Sequence, residues 1–249
     1  MQLNELNQYL TEYLQPASFS DYCPNGLQVE GKPEVRKIVT GVTASLELLQ
    51  QAQAADADAI LVHHGYFWRG ESEPITGIKM RRLKFLLANE ISLFAYHLPL
   101  DAHVDIGNNV MLGNVLDLEI TGWLDGGKNM IAWSELKQTK LLQTIADECS
   151  AKLNREVQLV GNGSKPVRTI AWCTGAAQGY IEQAITADID VFISGEISEQ
   201  TVHQVRESNT AYIAAGHHAT ERYGVQALGE HLAKQFDFQH EFIDIHNPV

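Results

Sequence analysis

The chain has 249 residues, 45% of them hydrophobic and 20% charged, enough for one large or two small globular domains with a sizeable core. Its 18 basic and 31 acidic residues leave a net charge of −13. This argues against broad attachment to nucleic acid or anionic lipid, where Lys and Arg must neutralise phosphate, while a single nucleotide held through a metal stays open.

No apolar run approaches the roughly 18 to 20 residues of a membrane helix. Met1 to Leu14 lacks the basic start and apolar core of a signal peptide; with Leu3, Leu6, Tyr9 and Leu10 on one face it reads as an amphipathic helix. Cys23, Cys149 and Cys173 show no zinc spacing and leave one thiol unpaired, so a cytoplasmic protein is expected. Ser20 to Val29 contains Pro24 and Asn25-Gly26, a turn leading into an extended segment. Ile38 to Thr43 is an apolar strand, Ala44 to Ala55 a helix, and Ala59 to Val62 a continuous apolar run suited to a buried parallel strand. That run ends in His63-His64-Gly65, at the carboxyl edge where open α/β sheets bind ligands. Gly65 to Gly77 reads as a loop, Lys79 to Asn89 as a basic helix and Ile91 to Tyr96 as a strand. His97-Leu98-Pro99-Leu100-Asp101 follows, and Pro99 predicts an extended exit loop there. A helix begins at Gly107, and turn-rich Leu116 to Asn129 is the expected domain boundary.

The second half predicts helices at Leu141 to Leu153, Tyr180 to Ala187 and Glu199 to Glu207. Strands are expected at Ile170 to Cys173, Val191 to Ser194, Tyr212 to Ala215 and Glu241 to Ile245. Gly216-His217-His218-Ala219-Thr220-Glu221 joins the third of these strands to a helix whose Val225, Leu228 and Leu232 keep a 3.6-residue period.

The halves repeat one another. Val35-Arg36-Lys37-Ile38 parallels Val167-Arg168-Thr169-Ile170, and Asp56-Ala57-Asp58-Ala59 parallels Asp188-Ile189-Asp190-Val191. The offset is 132 positions in both cases (167 − 35 and 188 − 56). It sets His63-His64 opposite Gly195-Glu196, and in both halves a later strand ends in histidine, His97 or His217. The expected fold is α/β, two interlinked domains from an internal duplication. Residues 1–128 carry His63, His64 and Asp101; residues 129–249 carry Glu196, His217 and Glu221, with the last strand crossing back. Strand carboxyl ends are expected to converge on a metal cleft.

His217 and Glu221, four apart, share one face of a first helical turn. An imidazole and a carboxylate aimed at one point hold a divalent cation. With His63, His64 and Asp101 the set has five members, two of them carboxylates, which suits two metals bridged by one carboxylate. Two cations about 3.5 to 4 Å apart share a water and make it hydroxide near neutral pH. Mixed N/O ligation admits zinc, manganese, iron or nickel. Taken singly, each residue also has an ordinary role as a hydrogen-bonded strand-end histidine or a helix-end carboxylate. Glu196 is a candidate general base or water-orienting group, and His97 a candidate partner to Asp101 or to substrate. Cys173 is a weaker candidate nucleophile, and Gly175 to Gly179 a weaker phosphate-binding turn lacking the Walker lysine.

Ile60 to Gly65, Tyr96 to Asp101, Gly195-Glu196, Gly216 to Glu221 and Asn25 to Val29 together resemble the YbgI family. Its members are also called GTP cyclohydrolase 1 type 2 homologues or NGG-interacting-factor-like proteins. The resemblance spans nearly the whole chain. It implies a dinuclear metal centre in which His64 and Asp101 bind one ion, His63 and His217 the other, and Glu221 bridges. It also implies a toroidal homohexamer and, from the name, hydrolytic opening of a guanine ring. The expected function is a metal-dependent hydrolase acting on a nucleotide-like or other ring-containing small substrate. The alternative is a metal carrier or partner-binding scaffold without catalysis.

Overall fold

Local chemistry explains the first element. Helix α1 (Leu3–Leu14) buries Leu3, Leu6, Leu10 and Leu14, one side of a 3.6-residue period, and Gln2 with Glu5 forms a capping box at its start. The computed structural model describes residues 1–249. In chain order there follow β1 (Gly26–Val29), β2 (Lys37–Thr43), α2 (Leu46–Ala54), β3 (Ala59–His64), α3 (Gly77–Ala88), β4 (Ser92–Ala95), α4 (Leu98–Asp101) and α5 (Asn108–Val115). Next come β5 (Gly122–Trp123), β6 (Ala132–Leu141), α6 (Leu142–Leu153), β7 (Gln158–Val160), β8 (Pro166–Cys173), α7 (Ile181–Thr186) and β9 (Val191–Ser194). The chain closes with α8 (Glu199–Arg206), β10 (Ala211–Ala214), α9 (His217–Phe236) and β11 (Gln239–Phe242).

Contacts divide the chain into two units. The first is Met1–Leu100 with Gly224–His246, the second Asp101–Tyr223 with Asn247–Val249. The first holds a five-stranded sheet of order β1-β4-β3-β2-β11. Strands β4, β3, β2 and β11 run parallel, and β1 is antiparallel to β4. β3 is central and buried from Ala59 to His63, as a strand covered on both faces must be. Its core gathers Val39, Leu48, Ile60, Leu86, Leu93 and their neighbours.

The second unit holds a six-stranded sheet of order β5-β6-β8-β9-β10-β7. β8, β9 and β10 are parallel, while β7 and β6 are antiparallel additions at either side. Leu112 and Leu116 pack in the same core as Trp172 and Ile193. Residues 101–128, which the sequence reading groups with the first half, therefore belong by contact to the second.

The duplication is visible in hydrogen bonds. Asp58 Oδ2 accepts the backbone N–H of Arg36 and Lys37 at 2.9 and 3.1 Å. Asp190 Oδ2 accepts those of Arg168 and Thr169 at 2.7 and 3.0 Å, 132 positions later. Asp56 and Asp188 both adopt left-handed backbone, at φ 57° and 53°. β1-β4-β3-β2 and β7-β10-β9-β8 are the same strand pattern.

Two local expectations are corrected. Leu98–Asp101 is a single helical turn, not an extended loop, because proline is tolerated in a first turn, where its missing N–H is not needed. The ten-residue strand β6 is absent from the sequence reading, since past Ser134 its side chains are mostly exposed and polar. No helix is long and apolar enough to cross a membrane.

Candidate metal centre

In the first unit the candidate side chains leave the carboxyl ends of β3 and β4. His63 is fully buried, and its Nδ1 lies 3.0 Å from the Tyr96 carbonyl. A carbonyl only accepts, so Nδ1 carries the hydrogen and Nε2 the lone pair. β2 and β3 pair Thr43 with His64, which brings the Thr43 hydroxyl to 3.2 Å from His64 Nδ1. The two rings lie 4.6 Å apart although they are consecutive in sequence. The strand turns away at Gly65, where a Cβ would sit 2.5 Å from that of Ala95.

His97 follows β4. Its ring lies 5.0 Å from that of His63 and 5.8 Å from that of His64, and a ring nitrogen of each of the three lies within 4.8 Å of the others. His97 Nδ1 donates to Asp21 Oδ1 at 2.8 Å, and its backbone N–H to Asn25 Oδ1 at 2.7 Å. Asp21 also accepts from Asn25 Nδ2 and Leu98 N–H. Burial opposes its charge, but the His97 and Asn25 hydrogen bonds, the His97 charge and the Leu98 N–H outweigh it and hold the carboxyl down to about 2.

In the second unit His217 and Glu221 occupy the first turns of α9. Glu221 is 3% exposed, and its Oε2 lies 3.1 Å from His217 Nε2. On the other ring nitrogen, Glu196 Oε1 lies 2.7 Å from His217 Nδ1. Burial disfavours the imidazolium, yet Glu221 first and Glu196 second more than compensate, raising His217 to about 9. Asp101 Oδ1 accepts from Asn108 Nδ2 at 2.9 Å and lies 3.3 Å from the Thr174 hydroxyl. The β8 exit, Thr174-Gly175, thus touches Asp101 on one side and approaches Glu221 on the other. Gly175 has φ +68°, and a Cβ there would lie 2.0 Å from Glu221 Oε1 and 3.3 Å from His217 Nε2. Only glycine leaves that space open.

The weaker sequence candidates resolve. Gly175 N–H is given to Thr220 Oγ1, and Ala177 N–H to Gly175 O and Ser194 Oγ, so these amides are not aimed at a phosphate. Cys173 is buried, and burial followed by the Asp101 and Glu221 charges pushes its thiol well up. It carries no thiolate for nucleophilic attack. Sequence reasoning missed Asp21, Thr43, Thr174 and Gly175 as contributors. The one available signal was Asp21-x-x-x-Asn25 preceding a strand.

All four candidate imidazoles share one arrangement. Nδ1 is engaged by Tyr96 O, Thr43 Oγ1, Asp21 Oδ1 or Glu196 Oε1, and such a tether fixes the ring and turns Nε2 away from it, in His217 toward Glu221. Metal-ligating histidines are held this way by a carbonyl, hydroxyl or carboxylate behind the ring. With the nearby carboxylates, these groups are suited to hold a divalent metal.

The chain matches known proteins along its whole length. The profile of the Duf34/NIF3 (NGG1p interacting factor 3) family matches residues 1–248. A Pseudomonas aeruginosa protein named GTP cyclohydrolase 1 type 2 homolog is 54% identical over 249 residues, covering 99% of this chain and 98% of that relative. One of the same name from Escherichia coli (strain K12) is 49% identical over 250 residues, covering 100% of both. The solved structure of protein ybgI superposes with a TM-score of 0.95 at 48% identity, covering 100% of both chains.

Proposed function

Because the chain belongs to the Duf34/NIF3 family, we propose that it is a metal-dependent hydrolase of a ring-containing, nucleotide-like small molecule. In this reading His63, His64, Asp101, His217 and Glu221 are the ligands of two divalent cations. His64 and Asp101 would hold one ion, His63 and His217 the other, and Glu221 would contribute to both. The observation that supports it is the common tethering of the candidate imidazoles through Nδ1, which leaves Nε2 as the donor atom. A divalent cation in such a donor set supplies Lewis acidity and a water acidified toward neutral pH. The rest falls to the chain's own residues. Glu196 keeps a hydrogen on His217 Nδ1 and thereby orients the ring. Asp21 does the same for His97, whose other nitrogen is the group that would exchange a proton with substrate or water. Gly175 holds open the space beside Glu221.

The test is elemental analysis of the purified protein, followed by a nucleotide and cyclic-amide hydrolysis screen after loading with zinc, manganese, iron or nickel. The reading expects two ions per chain, turnover lost on chelation and restored by a divalent cation, and no uptake by Glu221→Ala. Failure to load any ion defeats the metal reading; loading without turnover defeats the hydrolase. A second reading, a metal carrier, draws on His217. In the metal-free chain its protonated ring offsets the charges of Glu221 and Glu196, so losing the ion does not leave those carboxylates uncompensated, and reversible loading is favoured. The toroidal homohexamer and the cytoplasmic location belong to the same proposal. Three free buried cysteines are consistent with the second, and light scattering tests the first.

A further inference from the structure

Asn108 and Asn109 open α5 with both side chains fully buried. Asparagine is mostly a surface residue, and an amide is kept inside where its hydrogen bonds are used. Asn109 acts as a brace. Its Nδ2 donates to the Asp101 carbonyl at 3.2 Å, its Oδ1 accepts the Thr174 N–H at 3.0 Å, and its own carbonyl accepts the Trp172 indole N–H at 2.8 Å. It thereby ties the turn that ends at Asp101 to the exit of β8. Two further side chains meet Asp101 at a single atom. Asp101 Oδ1 accepts from Asn108 Nδ2 at 2.9 Å and from the Thr174 hydroxyl at 3.3 Å. The Asn108 amide has to present its nitrogen there, because its oxygen would face the carboxylate acceptor to acceptor. Asp101 and Thr174 are each 5% exposed, so little water competes for these bonds.

A carboxylate oxygen has two lone pairs in position to accept, and on Oδ1 both have a donor. From this geometry we infer that Asn108 and Thr174 are positioning residues that make Asp101 a one-oxygen ligand, meeting a cation through Oδ2 alone. The inference rests on the reading that Asp101 is a metal ligand, and it adds which ions that ligand favours. Calcium takes roughly 6–8 oxygens and readily uses both oxygens of one carboxylate. A first-row transition ion with mixed nitrogen and oxygen ligands is served by one. The two donors on Oδ1 therefore act as a selectivity device: they deny calcium its second oxygen and leave the bond to a smaller ion untouched.

The experiment is calorimetric titration of the metal-free full chain with manganese, alone and against calcium as competitor. Asp101→Ala identifies the binding event that depends on this carboxylate. Histidine donors disfavour calcium in every variant, so the quantity read is the manganese-to-calcium affinity ratio at that event. Thr174→Val removes the hydroxyl at nearly constant shape and is expected to shrink the ratio by about tenfold or more. Asn108→Ala releases the same oxygen from a different element and should shrink it likewise, which decides the matter where Thr174→Val does not fold. Thr174→Ser keeps the hydroxyl and should keep the ratio. A merely structural role would weaken both ions alike and leave the ratio in place. The inference is overturned by an unmoved ratio in these two variants, by a Thr174→Ser ratio that falls as far as that of Thr174→Val, or by an unaltered chain that takes up no manganese. Metal content of the same samples separates it from the reading beneath it. Uptake that depends on Asp101 with an unmoved ratio defeats the positioning role alone. Uptake by Asp101→Ala equal to that of the unaltered chain defeats Asp101 as a ligand, and the positioning role with it.

Discussion

Gly175→Ala gives a sharp test of how the second unit holds its carboxylate. Gly175 sits at φ +68°, where a Cβ costs roughly 1–2 kcal/mol. That Cβ would also lie 2.0 Å from Glu221 Oε1 and 3.0 Å from Glu221 Cδ. Glu221 is only 3% exposed, so its carboxylate has no route to solvent and must move within packed surroundings. Displacing it from its contact with His217 adds roughly 1–3 kcal/mol. The expected total is about 2–5 kcal/mol, a large share of a typical domain stability of about 5–15 kcal/mol. Gly179→Ala is the internal control four residues on, where a Cβ meets nothing within 4 Å; its effect should stay within about 1 kcal/mol of zero. Urea denaturation of the metal-free chain measures stability, and elemental analysis after zinc loading measures uptake. Gly175→Ala should lose stability and most of its zinc, and Gly179→Ala neither. If Gly175→Ala matched the unaltered chain in both, the cradle argument for Glu221 would be wrong.

Other expectations follow from the same geometry. His217, raised to about 9 in the metal-free chain, contributes stability that is fully present below its unfolded value near 6.5 and is lost as pH rises through about 9. Denaturation midpoints of the metal-free chain between these limits, with Glu196→Gln flattening the slope, check the sign; a Glu196→Gln profile identical to that of the unaltered chain would count against it. Asp21, held down to about 2, contributes stability present above its unfolded value near 4 and lost as pH falls through about 2. Asp21→Ala leaves three buried or half-buried N–H donors without their acceptor, and a loss of about 2–4 kcal/mol is expected by chemical denaturation. Of the repeated aspartates, Asp190→Ala should cost more than Asp58→Ala, by about 1 kcal/mol. Asp190 alone also accepts from the Thr169 hydroxyl, and its pair with Lys165 at 3.4 Å is closer than that of Asp58 with Lys32 at 4.0 Å. A reversed order in equilibrium unfolding would contradict this.

Much of the fold was readable wherever a residue's role depends on its near neighbours. The apolar run Ala59 to Val62 is a buried parallel strand, and the four-residue spacing of His217 and Glu221 does place them in contact on one helix. The repeat was legible because both copies keep the aspartate that caps the preceding strand start. Pro99 misled because proline forbids a helix interior but not a first turn, and the difference lies in where the helix begins. β6 escaped because a strand with one solvated side has no continuous apolar run to announce it.

Short-range periodicity and chemistry by themselves determined most of the strands and helices, β6 and the Leu98–Asp101 turn apart, and the residue types gathered at their ends, since those signals act over a few residues. Tertiary structure alone decided which carboxylate stands behind which imidazole: Asp21 behind His97 across 76 positions, Glu196 behind His217 across 21. It alone set Gly175 against Glu221 and returned β11 to lie beside β2. The physical reason is that a hydrogen bond or a close approach between distant segments depends on sheet order and strand register, and neither is written in the spacing of the residues that meet.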